Sequence, residues 1–450
     1  MSQRFTPQFR LRNRVHVATK KTFASLEIFV TLVTLLTLPL LSTTGFASPT
    51  PVRYNAFTNA RNFNSTELDS AWVKIELALK RYERPGAQPV LLVHGLAQND
   101  RIWDSRIERF SFAKALYDAG YDVWIGNLRN AGTDGFRSDG FKTGSPWSVE
   151  DYGISDLPSL IKTVTEATHQ KPFFIGHSLA AWAIEAYLSG LQFDRSGALQ
   201  YSESAARENT KTISGIISIA GAYSLSWPVS FPSVISSSEE FYQSNYEFEI
   251  ASKIPGVFWG VRQLSEIPLD WVESLVNLPL EQVPVIGSML EKWYGDLEES
   301  ITRTPLLSLF FYSKNSNLEM VKEHAKDGME SMAPKLIEQL ANSLIDQEPR
   351  TYFKRSLFPF IHAEAKREEC FSYADLRKAN RLPILFIGGE KDRLANVEMI
   401  YHEGYLKSKS PDKTFIRVKD SGHLDIITGN LAKTQVLTPI IRWLGSHSSH

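Results

Sequence analysis

Short apolar runs alternate with segments of helical periodicity in two parts of this chain. The apolar runs predict buried strands at residues 90–93, 173–175, 212–220, 382–388 and 414–418, and one more that leads into a loop within residues 121–132. Helical periodicity predicts helices at residues 112–119, 149–167 and 434–444. Strands that alternate with helices indicate an α/β fold with a mostly parallel central sheet and helices on both faces.

The alternation is absent from two other parts of the chain. Residues 48–88 are mixed and polar, and the spacing of their apolar positions predicts a helix at residues 67–82. Residues 223–382 contain many aromatic residues and prolines, with helical fragments such as residues 320–344, broken at Pro334, and no clear strand. We therefore expect one α/β domain, formed by residues 48–222 and 383–450, interrupted by a large helical cap at residues 223–382.

The predicted cap is rich in large aromatic side chains, and two interpretations of them stay open. They could form an exposed apolar face that contacts lipid surfaces and lines an acyl pocket. Alternatively, they form the hydrophobic core of the cap itself. The residues concerned are Trp227, Phe241, Tyr242, Phe258, Trp259, Trp271 and Trp293.

The first 47 residues differ from the rest of the chain in their arrangement of basic, apolar and small residues. Six Lys and Arg residues precede an apolar stretch at residues 28–41, and the small residues Gly45 and Ala47 follow it. This order is typical of a secretory signal that is cleaved after Ala47. The apolar stretch is shorter than the about 20 residues that a spanning helix needs. We expect an exported protein, secreted or periplasmic, with an uncleaved membrane anchor as the alternative.

Charge and cysteine content exclude several classes of function. The 450 residues carry a formal net charge of −1, and removing the six basic and one acidic residues of segment 1–47 changes it to −6. Bulk attraction to nucleic acid is therefore not expected. Cys370 is the only cysteine, which excludes an intramolecular disulfide, and no catalytic partners surround it in the sequence.

The segment 171–188 combines a short strand, a turn centred on Ser178 and the start of a helix. This is the layout of a nucleophile elbow, in which a serine occupies a strained turn between strand and helix. Residues two positions from the serine must be small so that strand and helix can approach, and Gly176 and Ala180 are both small. Glycine is usual at the second position, so Ala180 is a mild departure. An ordinary turn that happens to contain serine is the alternative interpretation.

A serine nucleophile needs a base that takes its proton and a carboxylate that orients the base. Asp392 follows the strand predicted at residues 382–388, and His423 follows the strand predicted at residues 414–418. Both would lie at the carboxyl ends of parallel strands, where such sheets gather their sites. We therefore predict a catalytic triad of Ser178, His423 and Asp392.

Other residues could compete for these roles. Glu390 is the alternative acid, whereas Asp420 and Asp425, which flank His423, are expected at a helix end or on the surface. His177 is adjacent to Ser178 and cannot fold back onto it, and His94 precedes Gly95 in a position that suits the shaping of a loop.

The tetrahedral intermediate of acyl transfer needs two backbone N–H donors for its oxyanion. One donor is expected from Leu179, the residue after the nucleophile. The other is expected from Leu96, in the loop that follows His94 and Gly95. We predict an oxyanion hole formed by these two amides.

The motifs PVLLVHGL, GHSLA, GGEKD and SGHLD, in this order, resemble the α/β-hydrolase superfamily. Within it, YDVWIGNLRNAG followed by WSVEDYGISDLPSLI resembles the acid-lipase-like branch. The resemblance covers residues 86–222 and 383–446. It implies hydrolysis of carboxylic esters through an acyl-enzyme without a cofactor, and a cap inserted before the strand that carries the acid.

The expected function is that of an exported serine hydrolase, a lipase or carboxylesterase that acts on lipid-like esters. An acyltransferase could use the same triad and pass the acyl group to another hydroxyl instead of water. A hydrolase-like protein that binds without catalysing is the remaining alternative. The expected partners are a small ester or lipid substrate and, through the cap, a lipid surface.

Overall fold

The computed structural model describes the α/β part of the chain almost completely. The described residues are 49–61, 72–140, 147–195, 197–221, 223, 310–330, 333, 335–336, 339–340, 343, 371–373 and 381–448. They fall, apart from Pro49, within one compact unit, Thr50–His450. The expected leader at residues 1–47, the cysteine Cys370 and most of the expected cap at residues 223–382 lie outside the described residues. No helix in the described part of the chain is long and apolar enough to cross a bilayer.

Within the described residues, ten strands form a large sheet and a small hairpin. They are β1 (Val52–Arg61), β2 (Trp72–Tyr82), β3 (Pro89–Val93), β4 (Asp122–Gly126), β5 (Phe173–His177), β6 (Leu191–Phe193), β7 (Leu199–Tyr201), β8 (Gly215–Ile219), β9 (Ile384–Gly389) and β10 (Lys413–Val418). The large sheet has eight strands in the order β1-β2-β4-β3-β5-β8-β9-β10, and β6 pairs with β7. The hairpin β6–β7 is an element that the sequence patterns did not predict.

Helices connect the strands of the sheet. The α-helices of four or more residues in the described ranges are α1 (Phe112–Asp118), α2 (Leu157–Thr168), α3 (Leu179–Leu188), α4 (Glu203–Asn209), α5 (Leu318–Asp327), α6 (Asp425–Thr428) and α7 (Thr438–His447). Short helical turns occur at Asp100–Ile102, Glu108–Phe110, Val149–Asp151, Tyr152–Asp156, Val397–Met399, Ile400–Leu406 and Lys433–Leu437. α1 packs near β2 and β4, whereas α2 packs near β1, β3 and α3.

The sheet is parallel except at one edge. The pairs β3–β4, β3–β5, β5–β8, β8–β9 and β9–β10 are parallel, and β1–β2 and β2–β4 are antiparallel. Every residue of its central strands is buried and most of them are apolar, as continuous apolar runs predict for strands covered on both faces. The predicted mostly parallel α/β sheet is confirmed.

The chain reverses its direction across the sheet at β3. From this strand the chain moves to β4 on one side and then crosses to β5 on the other. Ligands of open α/β sheets bind outside the carboxyl ends of the strands at such a reversal. The loops after β3 and β5, which carry Leu96 and Ser178, therefore meet at the expected site.

The helix predicted at residues 67–82 is wrong, because residues 72–82 form the strand β2, between β1 and β4. The apolar positions explain the error. Ile75, Ala78, Leu79 and Tyr82 have helical spacing, whereas Ile75, Leu77 and Leu79 alternate as in a strand, and all of these residues are buried. Pairing with strands on both sides decides between the two patterns, as tertiary context often does.

The helical segment predicted at residues 320–344 is interrupted earlier than expected, and residues 335–336, 339–340 and 343 are again helical. α5 ends at Asp327, and Gly328 caps it, because its N–H donates to the carbonyl oxygen of His324. Pro334, the expected break, lies outside the described residues. The described residues from 310 to 343 belong to the predicted cap, and several of them contact the α/β domain.

Candidate active site

Ser178 lies in a strained turn between β5 and α3. Its backbone has φ 52° and ψ −115°, which residues other than glycine rarely adopt. Its N–H donates to the carbonyl oxygen of Ile219 at 2.9 Å, and its side chain is partly exposed. The turn therefore presents the hydroxyl group at the carboxyl edge of the sheet.

The turn depends on small residues on either side of the serine. A Cβ atom on Gly176 would lie 2.6 Å from the ring of Phe174 and 3.2 Å from the backbone of Ala180 and Ala181. The methyl group of Ala180 is fully buried and is accommodated. Alanine in place of the usual glycine at this position therefore does not prevent the turn.

The structure brings the three residues of the predicted triad together. The Nε2 atom of His423 is 2.9 Å from the Ser178 hydroxyl oxygen, and its Nδ1 atom is 2.8 Å from Asp392 Oδ2. An ionised carboxylate only accepts hydrogen bonds, so Nδ1 carries the proton and Nε2 is free to accept one from the hydroxyl. This is the arrangement that a general base needs.

The surrounding backbone holds Asp392 in place. Its Oδ1 atom accepts hydrogen bonds from the N–H groups of Leu394 and Ala395, each at 2.8 Å, and the residue is buried. The side chain of the alternative acid, Glu390, is exposed. The structure thus brings Asp392 to His423 and leaves Glu390 on the surface.

The loop that carries Leu96 packs directly against the serine. A Cβ atom on Gly95 would lie 2.9 Å from Ser178 Cβ and 3.1 Å from the carbonyl oxygen of His177. The N–H groups of Leu96 and Leu179 make no hydrogen bond to any other described residue. Two unpaired donors beside the nucleophile are what an oxyanion hole requires.

His94 joins this loop to the loop after β4. Its Nε2 atom accepts a hydrogen bond from the Leu128 N–H at 3.2 Å, so Nδ1 donates to the Gly95 carbonyl oxygen at 2.9 Å. Burial lowers the pKa of His94 to about 4, which keeps the ring neutral near pH 7. These contacts agree with the predicted loop-shaping role.

Asp425 differs from what its position in the sequence suggested. It lies at the start of α6, as expected for a helix end, but it is fully buried rather than on the surface. Its carboxylate accepts hydrogen bonds from the N–H groups of Tyr312 and Gly422, at 2.8 and 2.9 Å, and from Asn315 Nδ2 at 2.7 Å. These bonds attach the loop that carries His423 to residues of the predicted cap.

A second part of the predicted cap contacts the loop of Leu96. The N–H of Glu330 donates to the carbonyl oxygen of Ala97 at 3.0 Å, and Asn99 Nδ2 donates to Glu330 Oε1 at 2.9 Å. Gln98 and Met329 form an isolated antiparallel bridge. The sequence patterns missed Asn315, Glu330 and the burial of Asp425, because the partners of these residues are distant in the sequence.

No cluster of three or more His, Cys, Asp or Glu residues within the described ranges could hold a metal ion. A polarised hydroxyl, an imidazole base oriented by a carboxylate and two N–H donors can together transfer an acyl group.

Comparison with known proteins supports the fold. A family model described as "alpha/beta hydrolase fold" matches residues 88–187, which span β3 to α3 and therefore Leu96, Ser178 and Leu179. With the strand order given above, this match confirms the predicted α/β-hydrolase fold. The expected helical cap stays a prediction.

Several lipases are similar to part of this chain. Lipase lipl-3 of Caenorhabditis elegans is 33% identical over 110 residues, which cover 23% of this chain and 27% of that protein. Triacylglycerol lipase 1 of Arabidopsis thaliana is 34% identical over 110 residues, or 23% and 28%. Human gastric triacylglycerol lipase is 37% identical over 114 residues, again 23% and 28%. The predicted resemblance to lipases is confirmed, although the chain spans just over a quarter of these relatives' length.

The solved structures similar to this chain are more distant in sequence. A monoacylglycerol lipase of Paleococcus ferrophilus has a TM-score of 0.45 and 17% identity, covering 83% of this chain and 100% of its own. An esterase of Thermogutta terrifontis has a TM-score of 0.43 and 17% identity, covering 88% and 100%.

Replacing Gly95 by alanine should impair the site through a steric clash. The new methyl group would press on Ser178 Cβ, and such overpacking costs about 1–3 kcal/mol. We expect Gly95→Ala to slow labelling of Ser178 by a fluorophosphonate probe about tenfold or more. Gly445→Ala, in the helix α7 with space around it, is the matched control and should label at the normal rate. Equal labelling of both variants would contradict the close contact.

Asp425 should make the stability of the protein depend on pH. Burial is the largest effect on its pKa and raises it to about 6, despite the N–H donors that favour the charged form. The folded state then binds this proton more tightly than the unfolded state does. The free energy of unfolding should therefore fall as pH rises from about 4 to about 6, by about 2–3 kcal/mol.

The variant Asp425→Asn tests this dependence because it cannot titrate. Its amide also faces N–H donors, so it should lose stability by a constant amount at every pH. Wild type should lose an additional, pH-dependent amount between pH 4 and 6, measured by urea unfolding at several pH values. The control is Asp420→Asn, at an exposed position. Its free energy of unfolding should change with pH in the same way as that of wild type. If the free energies of unfolding of Asp425→Asn and wild type changed with pH in parallel, Asp425 would have an ordinary pKa.

Proposed function

We propose that this protein is an exported serine hydrolase that cleaves carboxylic esters, as a lipase or carboxylesterase acting on lipid-like substrates. The observation that carries the proposal is the hydrogen-bonded chain from Asp392 through His423 to Ser178, beside two backbone N–H groups that donate to no other described residue. These groups come from four loops at one edge of the sheet, with Ser178 and Leu179 adjacent in the same turn. A purely structural role would not require an unpaired donor pair next to a strained serine.

The first half of the proposed reaction forms an acyl-enzyme. The Ser178 hydroxyl oxygen attacks the ester carbonyl carbon while His423 Nε2 takes its proton. Asp392 stabilises the imidazolium that results. The N–H groups of Leu96 and Leu179 donate to the oxyanion of the tetrahedral intermediate. The intermediate then collapses, and His423 gives the proton to the departing alcohol.

The second half repeats the same steps with water. His423 removes a proton from a water molecule, which attacks the acyl-enzyme carbonyl carbon. The same two amides stabilise the second oxyanion. Its collapse returns the proton to the Ser178 oxygen and releases the carboxylic acid. All bonds and protons balance without a metal or cofactor, because the base and the acid are the same imidazole in two protonation states.

The class of substrate is inferred from the relatives and from the sequence of the cap. The matched relatives are named as lipases, and the stretch that the family model matches, residues 88–187, contains Ser178. The aromatic residues of the predicted cap at residues 223–382 suit an acyl pocket or a lipid surface. A series of ester chain lengths, assayed above and below substrate aggregation, separates a lipase from a soluble esterase: activity that rises with aggregation indicates a lipase. Product analysis with an added alcohol would reveal acyl transfer in place of hydrolysis.

Export is proposed from the N-terminal segment alone. Its basic residues, its apolar stretch at residues 28–41 and the small residues near Ala47 have the order of a secretory signal. N-terminal sequencing of the protein purified from its native host tests this proposal. A mature chain that begins at Ser48 supports cleavage, whereas an intact N-terminus in the membrane fraction supports an anchor.

Replacing Ser178 should abolish turnover without unfolding the protein. Loss of a serine nucleophile lowers kcat by about 10³-fold or more. We expect Ser178→Ala to lose hydrolysis of a short p-nitrophenyl ester and labelling by a fluorophosphonate, with its thermal unfolding midpoint little changed. Ser204→Ala, at an exposed position of α4, is the matched control and should retain both activities. Undiminished hydrolysis by Ser178→Ala would refute the nucleophile assignment.

Replacing Asp392 by asparagine should trap His423 in the wrong tautomer. The N–H groups of Leu394 and Ala395 require an oxygen at the Oδ1 position, so the new NH₂ group must face His423 Nδ1. Nδ1 then accepts, and Nε2–H points at the serine oxygen and cannot take its proton. We expect kcat to fall by about 10³–10⁴-fold, as loss of the carboxylate does in serine proteases.

The control for this substitution is Glu390→Gln, which changes the alternative acid at an exposed position. It should leave kcat within about twofold of wild type, since substitutions at exposed positions usually have small effects on a protein. If Glu390→Gln lost activity and Asp392→Asn kept it, the acid would have been assigned to the wrong carboxylate.

A further inference from the structure

His177 lies between the two loops that the proposed reaction depends on. It is the last residue of β5, directly before Ser178, and its ring is fully buried. Its Nε2 atom is 2.9 Å from the carbonyl oxygen of His423, and its Nδ1 atom is 3.1 Å from Gln98 Oε1. The ring therefore contacts the base loop (residues 421–425) on one side and the oxyanion loop (residues 94–98) on the other.

Gln98 anchors the oxyanion loop from within. Its side chain is 4% exposed, and its Oε1 atom accepts a hydrogen bond from the Gly95 N–H at 2.9 Å. Because the Gly95 N–H can only donate, the atom that faces it must be the amide oxygen rather than the nitrogen. The backbone N–H of Leu96, the proposed oxyanion donor, immediately follows the residue that Gln98 holds.

Both ring nitrogens of His177 thus face oxygen atoms that accept hydrogen bonds. A neutral imidazole has one N–H, so it can donate to one of them at a time. Burial, followed by the neighbouring His423, lowers the pKa of His177 well below its usual value, and His324 and His94 act in the same direction. The neutral ring can therefore donate its single N–H either to the His423 carbonyl oxygen or to Gln98 Oε1, and Gln98 Oε1 also accepts the Gly95 N–H.

We propose that Gln98 and His177 are positioning residues that hold the oxyanion loop and the base loop in register with Ser178. The inference rests on the proposed ester hydrolysis and adds to it two residues outside the predicted triad and oxyanion hole. Neither residue touches the reacting atoms in this proposal. Gln98 acts through Gly95 on the Leu96 amide, and His177 acts through the His423 backbone on the base.

Two substitutions of Gln98 distinguish a positioning role of its side chain from a role that only fills space. Methionine has a similar volume but cannot accept the Gly95 N–H. Glutamate keeps an accepting oxygen, and its charge would favour a protonated His177 that donates to both loops at once. If Gln98 only fills space, methionine should be tolerated and a buried carboxylate should be harmful. If Gln98 positions the loop, the order of the two variants should be reversed.

We expect Gln98→Met to lower kcat for a short soluble ester about tenfold to a hundredfold and to change KM by less than about threefold. Removal of a whole oxyanion donor costs about 10²–10³-fold, so a displaced donor should cost less. Gln98→Glu should keep kcat within about threefold of wild type. The control is Gln88→Met, just before β3 at the opposite end of the strand, where the amide donates to the Lys171 carbonyl oxygen. It should leave kcat unchanged.

Amide hydrogen exchange of the full-length protein reports on the loops without requiring turnover. Gln98→Met should speed exchange at residues 94–98, and Gln98→Glu should not. In His177→Gln the side-chain amide can still reach the His423 carbonyl oxygen, whereas in His177→Asn it can still reach Gln98. His177→Asn should therefore speed exchange at residues 421–425, and His177→Gln should speed it at residues 94–98.

Three results would overturn the inference. The first is a Gln98→Met variant that is as active as wild type, and the second is a Gln98→Glu variant less active than Gln98→Met. The third is exchange at residues 94–98 that none of the variants changes. Failure of the proposed function looks different, because wild type itself would then neither hydrolyse the ester nor react with a fluorophosphonate.

Discussion

The strained backbone of Ser178 is the constraint on which the rest of the site depends. A residue with a side chain holds a φ of 52° only when its surroundings impose it. Here the bond from its N–H to the Ile219 carbonyl oxygen, the bare Cα of Gly176 and the tight contact of Gly95 with its Cβ act together. Any residue larger than glycine at position 95 or 176 would displace the serine or the loop beside it.

Buried polar contacts, rather than apolar packing alone, hold the loops around the serine. Asp100 accepts hydrogen bonds from the Thr133 N–H and hydroxyl, each at 2.8 Å, and pairs with Lys80 at 3.1 Å. Arg129 forms a two-pronged contact with Asp156, both fully buried. Such groups are costly to bury unless they are paired, so each pair strongly favours one loop arrangement over others. These pairs connect the loops after β3 and β4 to the rest of the domain.

Much of the fold and of the candidate site was predictable from local patterns. The apolar runs identified the parallel strands because a strand buried on both faces must be apolar throughout. The order of Ser178, Asp392 and His423, each just after such a strand, led to the prediction that they meet, since carboxyl ends of parallel strands share one edge. Residues 72–82 were misassigned because their apolar residues satisfy helical and strand spacing equally, and only the neighbouring strands distinguish the two.

By itself, the sequence determined which residues could react, because hydroxyl, imidazole and carboxylate groups carry their chemistry wherever the chain places them. It also determined the strand runs that bring these residues to one edge. Only the tertiary structure decided that Asp392 rather than Glu390 meets His423, that Asp425 is buried, and that Gln98 and His177 join two loops. Those outcomes depend on contacts between segments far apart in the chain. A local pattern of residues does not predict which distant N–H or carbonyl group will form a hydrogen bond with a side chain.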